Sequence, residues 1–243
     1  MKGVVLAGGL GTRLAPLTNI TNKHLLPIYN RAMVTYPIQT LVGGGIRDIL
    51  LVTGGTHYGQ FVQLLQNGEA FGLRRLHYAY QKGEGGIAEA LGLAEPFAEG
   101  SKIVVVLGDN IIEDSIAAAV KCFEKQESGA KIFLKKVRNP REFGVAEIKN
   151  GKIVKIVEKP KKTKSNLAVA GVYMYDNAVF DIIRTLKPSA RGELEITDVN
   201  NAYVKRGDIT HEILKGYWGD AGESVDAYMR VSLRVARKNG FKD

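Results

Sequence analysis

The chain has 243 residues and a formal net charge of +9. That length suits one large α/β domain or two small ones, and the apolar (45%) and charged (24%) fractions are ordinary for a globular protein. No apolar run is long enough to span a bilayer, the N-terminal one ends too soon for a signal peptide, and a lone Cys122 excludes a disulfide framework, so a cytoplasmic protein with no membrane partner is expected.

The first predicted element is a short buried strand over residues 3–7, followed at once by Gly8, Gly9 and Gly11. A helix over 33–42 follows, with Pro37 expected to bend it and Gly43, Gly44 and Gly45 to end it. Residues 48–53 read as a continuously apolar strand, of the kind found in a parallel sheet covered on both faces. A helix is expected over 58–65, a strand over 73–80 and a helix over 87–97. The most apolar strand covers 102–107. A helix over 116–125, holding Cys122 as a buried or half-buried small residue, leads to a strand over 131–137. This alternation argues a doubly wound, mainly parallel α/β sheet. The second half changes character. Strands over 145–148 and 152–157 flank Asn150-Gly151, a strong hairpin signal. A strand over 167–175, helices over 181–186 and 195–205, an edge strand over 208–214 and a last helix over 221–238 complete the chain. No linker divides it. The expectation is one domain over 1–243, with a nucleotide half to about residue 130 and a sugar-phosphate half after it.

The glycine loop carries Thr12 and Arg13, with Lys23 ten residues beyond Arg13. A strand emptying into glycines beside two fixed cations suits a polyphosphate: backbone N–H groups cradle oxygens and the cations neutralise charge. The loop is neither a P-loop nor a dinucleotide fingerprint, because G-x-x-x-x-G-K-[ST] is absent and Leu14 stands where a third glycine should be. Asp109 follows the most apolar strand. A carboxylate there, beside such a loop, suits Mg²⁺, although an N-cap is an equal alternative for Asp109 alone. Asp220 sits similarly before the last helix. Basic clusters at Lys131–Arg141 and Lys152–Lys164 lack interleaved aromatics and any nucleic-acid motif, so no nucleic-acid partner is expected.

The string from Gly8 to Pro27 resembles the signature G-G-x-G-[TS]-R-L-x-P-x-T-x-x-x-x-K-x-x-[LM]-P of the sugar-nucleotide pyrophosphorylases, and more closely of the members that act on dTTP and glucose 1-phosphate. Further segments resemble the family in order: Gln81 with Gly85-Gly86-Ile87-Ala88, Phe143-Gly144-Val145, Glu158-Lys159-Pro160, Ala168-Val169-Ala170-Gly171, the Arg191-to-Asp198 run, and Trp218-Gly219-Asp220-Ala221-Gly222. The resemblance implies a Mg²⁺-dependent nucleotidyltransferase, expected to form a homo-oligomer, that makes a sugar nucleotide and pyrophosphate. It implies nucleotide contacts from Leu6, Ala7, Gly8, Gly9, Gly11, Thr12, Arg13, Lys23, Gln81, Gly86 and Asp109. Sugar-phosphate contacts are implied for Asn110, Gly144, Glu158, Lys159, Val169, Gly171 and Arg191, metal ligation for Asp109 and Asp220, and catalytic roles for Arg13, Lys23, Asp109 and Lys159. Gln81 can pair with the donor and acceptor edge of uracil or thymine. Two positions depart from the pattern: Glu89 stands where relatives carry Gln, and Ala170 where they carry Thr. Longer members continue into a helical C-terminal region, so feedback by an end-product sugar nucleotide at a separate site is not expected. The rival readings are a UTP-using transferase, a non-catalytic nucleotide-sugar regulator and, least favoured, an NAD-dependent dehydrogenase.

Overall fold

The computed structural model describes residues 1–9 and 11–242. Its strands are β1 (Lys2–Ala7), β2 (Pro27–Ile28), β3 (Arg31–Ala32), β4 (Asp48–Gly54), β5 (Arg75–Gln81), β6 (Ile103–Leu107), β7 (Asn110–Ile112), β8 (Ala130–Lys136), β9 (Gly144–Lys149), β10 (Lys152–Glu158), β11 (Leu167–Tyr175), β12 (Ile209–Ile213) and β13 (Trp218–Asp220). Its α-helices are α1 (Thr35–Gly43), α2 (Tyr58–Leu65), α3 (Ile87–Gly92), α4 (Glu95–Ala98), α5 (Ala117–Lys125), α6 (Ala178–Thr185), α7 (Ile196–Arg206) and α8 (Val225–Lys238).

A nine-stranded sheet runs β10-β9-β11-β6-β1-β4-β5, with β8 branching from β11 and β12 pairing with β8. β1 pairs in parallel with both β4 and β6. The chain winds outward to β5 and then returns to the other side of β1, so the switch point lies between β1 and β6. Ligands of open α/β sheets bind beyond the carboxyl ends of the strands at such a point. β11 runs antiparallel to β6 and joins the second half of the chain to the same sheet.

Side-chain alternation assigns the core. Val4 and Leu6 pack into one apolar cluster with α3, α4, α6 and α7, while Val5 and Ala7 pack into another with α1, α2 and α5. A third cluster seats α8 on Leu14, Leu26, Ile28 and Ile111, bringing the C-terminal helix against the segment that follows the glycine loop. Among the described residues no helix is long and apolar enough to cross a membrane.

Several expectations need correction. Pro37 leaves α1 intact because it lies in the first turn, where its missing N–H has no helical partner to lose. The single helix expected over 87–97 is two, broken after Gly92. The last helix starts at Val225, with Ser224 as its N-cap: the hydroxyl accepts from Ala227 N at 3.1 Å. Asp220 therefore does not cap it and lies in β13. Asp109 caps nothing either, since β7 follows it. The β7–β13 ribbon itself was not anticipated, because three-residue strands carry too little periodicity. Cys122 is exposed on α5 rather than buried. The hairpin at Asn150-Gly151 forms as expected, with φ of 49° and 74° at the two turn residues.

Candidate active site

β1 ends at Ala7 and the chain turns through Gly8 and Gly9. At Gly8 a Cβ would displace Gln81 Oε1, which lies over the loop. Gly11, at φ 68°, would place a Cβ 2.8 Å from Lys23 Cβ. These two glycines let the loop close onto Gln81 on one side and the stem of Lys23 on the other. Thr12 and Arg13 follow in a short helical turn, both exposed.

Lys23 opens a second short helical turn capped by Asn22, whose Oδ1 accepts from His24 N at 2.9 Å. The Lys23 ammonium lies 2.6 Å from Asp109 Oδ2, with both side chains mostly buried. Asp109 Oδ1 accepts from Asn110 Nδ2 at 2.9 Å. Burial by itself would raise the Asp109 carboxyl, but the adjacent Lys23 charge and the two hydrogen bonds outweigh it and hold it well below the usual carboxylate range. The β7–β13 register sets Asp220 opposite Asn110. Its Oδ1 accepts from Gly222 N at 2.8 Å. Burial, then repulsion by Asp109, pushes Asp220 up to about 7, with Lys23 and Arg13 acting the other way. A Cβ at Gly222 would press on Asp109 Oδ2 and stand 3.0 Å from Lys23 Nζ, so a side chain there would shift both charged groups.

Two carboxylates close enough to repel, in a cleft that holds cations, form a hard oxygen donor set. Mg²⁺ takes one or two carboxylates and completes its shell with phosphate and water, so these residues fit that ion.

Asn110 is a junction. Its Oδ1 accepts from Trp218 Nε1 at 2.6 Å and from Gly171 N at 3.0 Å, while its amide reaches Asp109. It is 1% exposed. Most of its hydrogen-bonding capacity is thus spent on Asp109, β11 and Trp218. Gly171 is needed there, since a Cβ would lie 2.7 Å from the Asn110 amide. Ala170, the departure from Thr, is fully buried in an apolar cluster, so the lost hydroxyl would have faced core atoms.

The second group lies at the ends of β9 and β10. Glu158 Oε2 accepts from Thr197 Oγ1 at 2.8 Å, and Gly144 leaves space beside both. Lys159 is exposed at φ 39°, an uncommon conformation for a side-chain-bearing residue, and its N–H donates to Phe143 O at 3.1 Å. Phe143 stands edge-on to Trp218, ring centres 5.1 Å apart. Arg191 lies among three carboxylates: Glu195 at 2.8 Å, Glu193 at 3.4 Å and Glu158 at 3.9 Å. Gly86 joins the two groups. The backbone that approaches it is that of Leu194, which donates to Gly85 O at 2.8 Å and accepts from Ala88 N at 3.1 Å.

Residues 2–238 match the family described as nucleotidyl transferase. The chain belongs to the nucleotidyl transferase family. Within it, the chain is 43% identical to a glucose-1-phosphate thymidylyltransferase from Neisseria meningitidis, over 96% of this chain and 82% of that protein. A crystal structure from Bacillus anthracis, assigned provisionally as a glucose-1-phosphate thymidylyltransferase and in complex with sucrose, superposes with a TM-score of 0.93 at 48% identity, covering 100% of this chain and 98% of that one. A UDP-glucose pyrophosphorylase complexed with UDP-glucose superposes at 0.84 with 25% identity, covering 98% of each chain.

In this nucleotidyl transferase two residues that sequence reasoning missed, Asn22 and His24, lie beside Lys23. His24 Nδ1 lies 2.9 Å from Asn22 Oδ1, and the ring is buried under Gly108, where a Cβ would approach Cδ2 to 2.6 Å. Burial, with the Lys23 charge beside it, drives His24 down to about 3, so it is a neutral strut. The only available signal was position: both residues flank Lys23 in a segment otherwise read for its cation.

Proposed function

We propose that the chain condenses dTTP with α-D-glucose 1-phosphate to dTDP-glucose and pyrophosphate, as one nucleotidyltransferase domain over 1–243. A nucleotide half would extend to about residue 130 and a sugar-phosphate half would follow. The observation that supports this most is the buried Lys23–Asp109 pair with Asp220 beside it, at the carboxyl ends of β1 and β6. A sugar-phosphate oxygen attacks the α-phosphorus in line, the bond to the β-phosphate oxygen breaks, and pyrophosphate leaves. That nucleophile is ionised at neutral pH, so no general base is required. Two anions must meet, and positioning with charge neutralisation supplies the rate. Bound Mg²⁺, held by Asp109 and Asp220, would neutralise phosphate charge. Gly8, Gly9 and Gly11 give the triphosphate access to backbone N–H groups, with Arg13 on the β- and γ-phosphates. Lys23 exchanges its carboxylate partner for the α-phosphate. Lys159 holds the attacking phosphate, Glu158 accepts sugar hydroxyls, and Arg191 completes the phosphate side.

A UTP-using reading rests on a structure of 25% identity, against 43% for a thymidylyltransferase, and one methyl group separates the bases by only about 1–3 kcal/mol. Pyrophosphate release, with and without Mg²⁺, across four nucleotides and several sugar 1-phosphates tests both. Turnover greatest with dTTP and glucose 1-phosphate is expected. Assembly into a homo-oligomer belongs to the same reading, supported by Met229 and Leu233, exposed one turn apart on α8, and light scattering tests it.

A further inference from the structure

Glu89, the departure in the base-side loop, touches the residue best placed to read a base. Gln81 is 4% exposed at the end of β5. Its Nε2 faces two acceptors, Gly86 O and Glu89 Oε1, each at 3.4 Å. The opposite end of the amide, Oε1, is turned over Gly8 at the glycine loop. Glu89 reaches this position only because Gly85 has no side chain: a Cβ there would occupy the place of Glu89 Oε2.

An ionised carboxylate is acceptor-only, and so is a backbone carbonyl. Turning the Gln81 amide over would set its oxygen against both. The orientation is therefore dictated by the chemistry of its two partners. With a glutamine at position 89 only Gly86 O would still favour this orientation, because the second amide offers a donor or an acceptor.

We propose that Glu89 is a positioning residue for base selection: it locks the Gln81 amide with its oxygen toward the nucleobase, so that the site takes pyrimidines with a ring N3–H and rejects cytosine. Thymine and uracil carry that donor. Cytosine presents an unprotonated N3, which would meet the Gln81 oxygen acceptor to acceptor. The lock discriminates by building a mismatch against the wrong base. It leaves thymine and uracil undivided, because they share this edge. The inference rests on the nucleotide reading given above.

Calorimetric titration of the full chain with dTTP, UTP and dCTP, in Mg²⁺ and without sugar phosphate, tests it independently of turnover. The wild-type chain should bind dTTP and UTP well ahead of dCTP. In Glu89→Gln the dTTP-to-dCTP ratio should narrow about tenfold, the scale of one hydrogen bond regained, mainly through tighter dCTP. The dTTP-to-UTP ratio should stay constant. Glu89→Ala should narrow the first ratio in the same direction. An unchanged dTTP-to-dCTP ratio in both variants, or equal weakening of all three nucleotides, overturns the lock. A wild-type chain that binds dTTP selectively yet releases no pyrophosphate with glucose 1-phosphate overturns the proposed reaction and leaves the lock standing. Failure to bind any of the three overturns both.

Discussion

The two charged clusters of the crevice are built differently. Around Lys23, Asp109 and Asp220 the charges are mostly buried, and each carboxylate is fixed by backbone or amide donors. Around Arg191 the arginine side chain is 45% accessible and Glu158 30%, although Glu195 is mostly buried. Solvent screens the second cluster and weakens each ion pair to at most about 1 kcal/mol. In the first, low local dielectric makes every charge expensive to leave alone. The buried end is therefore preorganised, and the exposed end can rearrange around a substrate.

The comparison predicts its own ranking of effects. Asp109→Asn and Asp220→Asn should each lower turnover by at least about 10³-fold, the scale of losing electrostatic stabilisation where charge develops. Circular dichroism should remain native, and near-normal activity in either variant would remove that residue from the metal site. Next come the lysines. Lys23→Ala should cost about 10²-fold in kcat/KM for dTTP, whereas Lys159→Ala should chiefly raise KM for glucose 1-phosphate. If both variants lost only nucleotide affinity, the division into two ends would be wrong.

Gly222→Ala carries a smaller effect. Its Cβ would push on Asp109 and Lys23 without changing a charge, so kcat should fall about tenfold with KM for glucose 1-phosphate held. His24 gives a pH signature. Its folded pKa is depressed to about 3, so below about pH 6.5 the unfolded chain binds a proton that the folded chain refuses. Stability then falls with pH by up to about 1.4 kcal/mol per unit from this group alone. Chemical denaturation of His24→Gln between pH 4 and 7 should show a shallower acid arm, and an unchanged slope would mean that His24 titrates normally. The smallest effect belongs to the exposed end. Arg191→Ala should shift folding stability by less than about 1 kcal/mol while raising KM for glucose 1-phosphate. A larger loss of stability would show that the Arg191 cluster is structural.

The parallel half of the sheet was legible in the sequence, because β1, β4 and β6 are continuously apolar runs buried on both faces, and Asn150-Gly151 permits the left-handed turn that closes β9 onto β10. The glycines, the cations and Asp109 were legible as a set because a polyphosphate demands flexible backbone and positive charge close together. Other features depended on three-dimensional proximity. The β7–β13 ribbon, which sets Asp220 opposite Asn110, joins segments far apart along the chain through only three residue pairs. His24 carries no pattern of its own, and only the close approach of Gly108 makes it a buried neutral strut. Glu89 reads as one more charge on a helix until the missing Cβ of Gly85 brings it to Gln81. Sequence by itself determined which chemical groups this protein has and the local order of its strongest elements, because those follow from side-chain chemistry and short-range periodicity. Tertiary structure decided which groups meet, since burial and long-range register are set by how separated segments pack, and those two set Asp220 opposite Asn110 and bring Glu89 to Gln81.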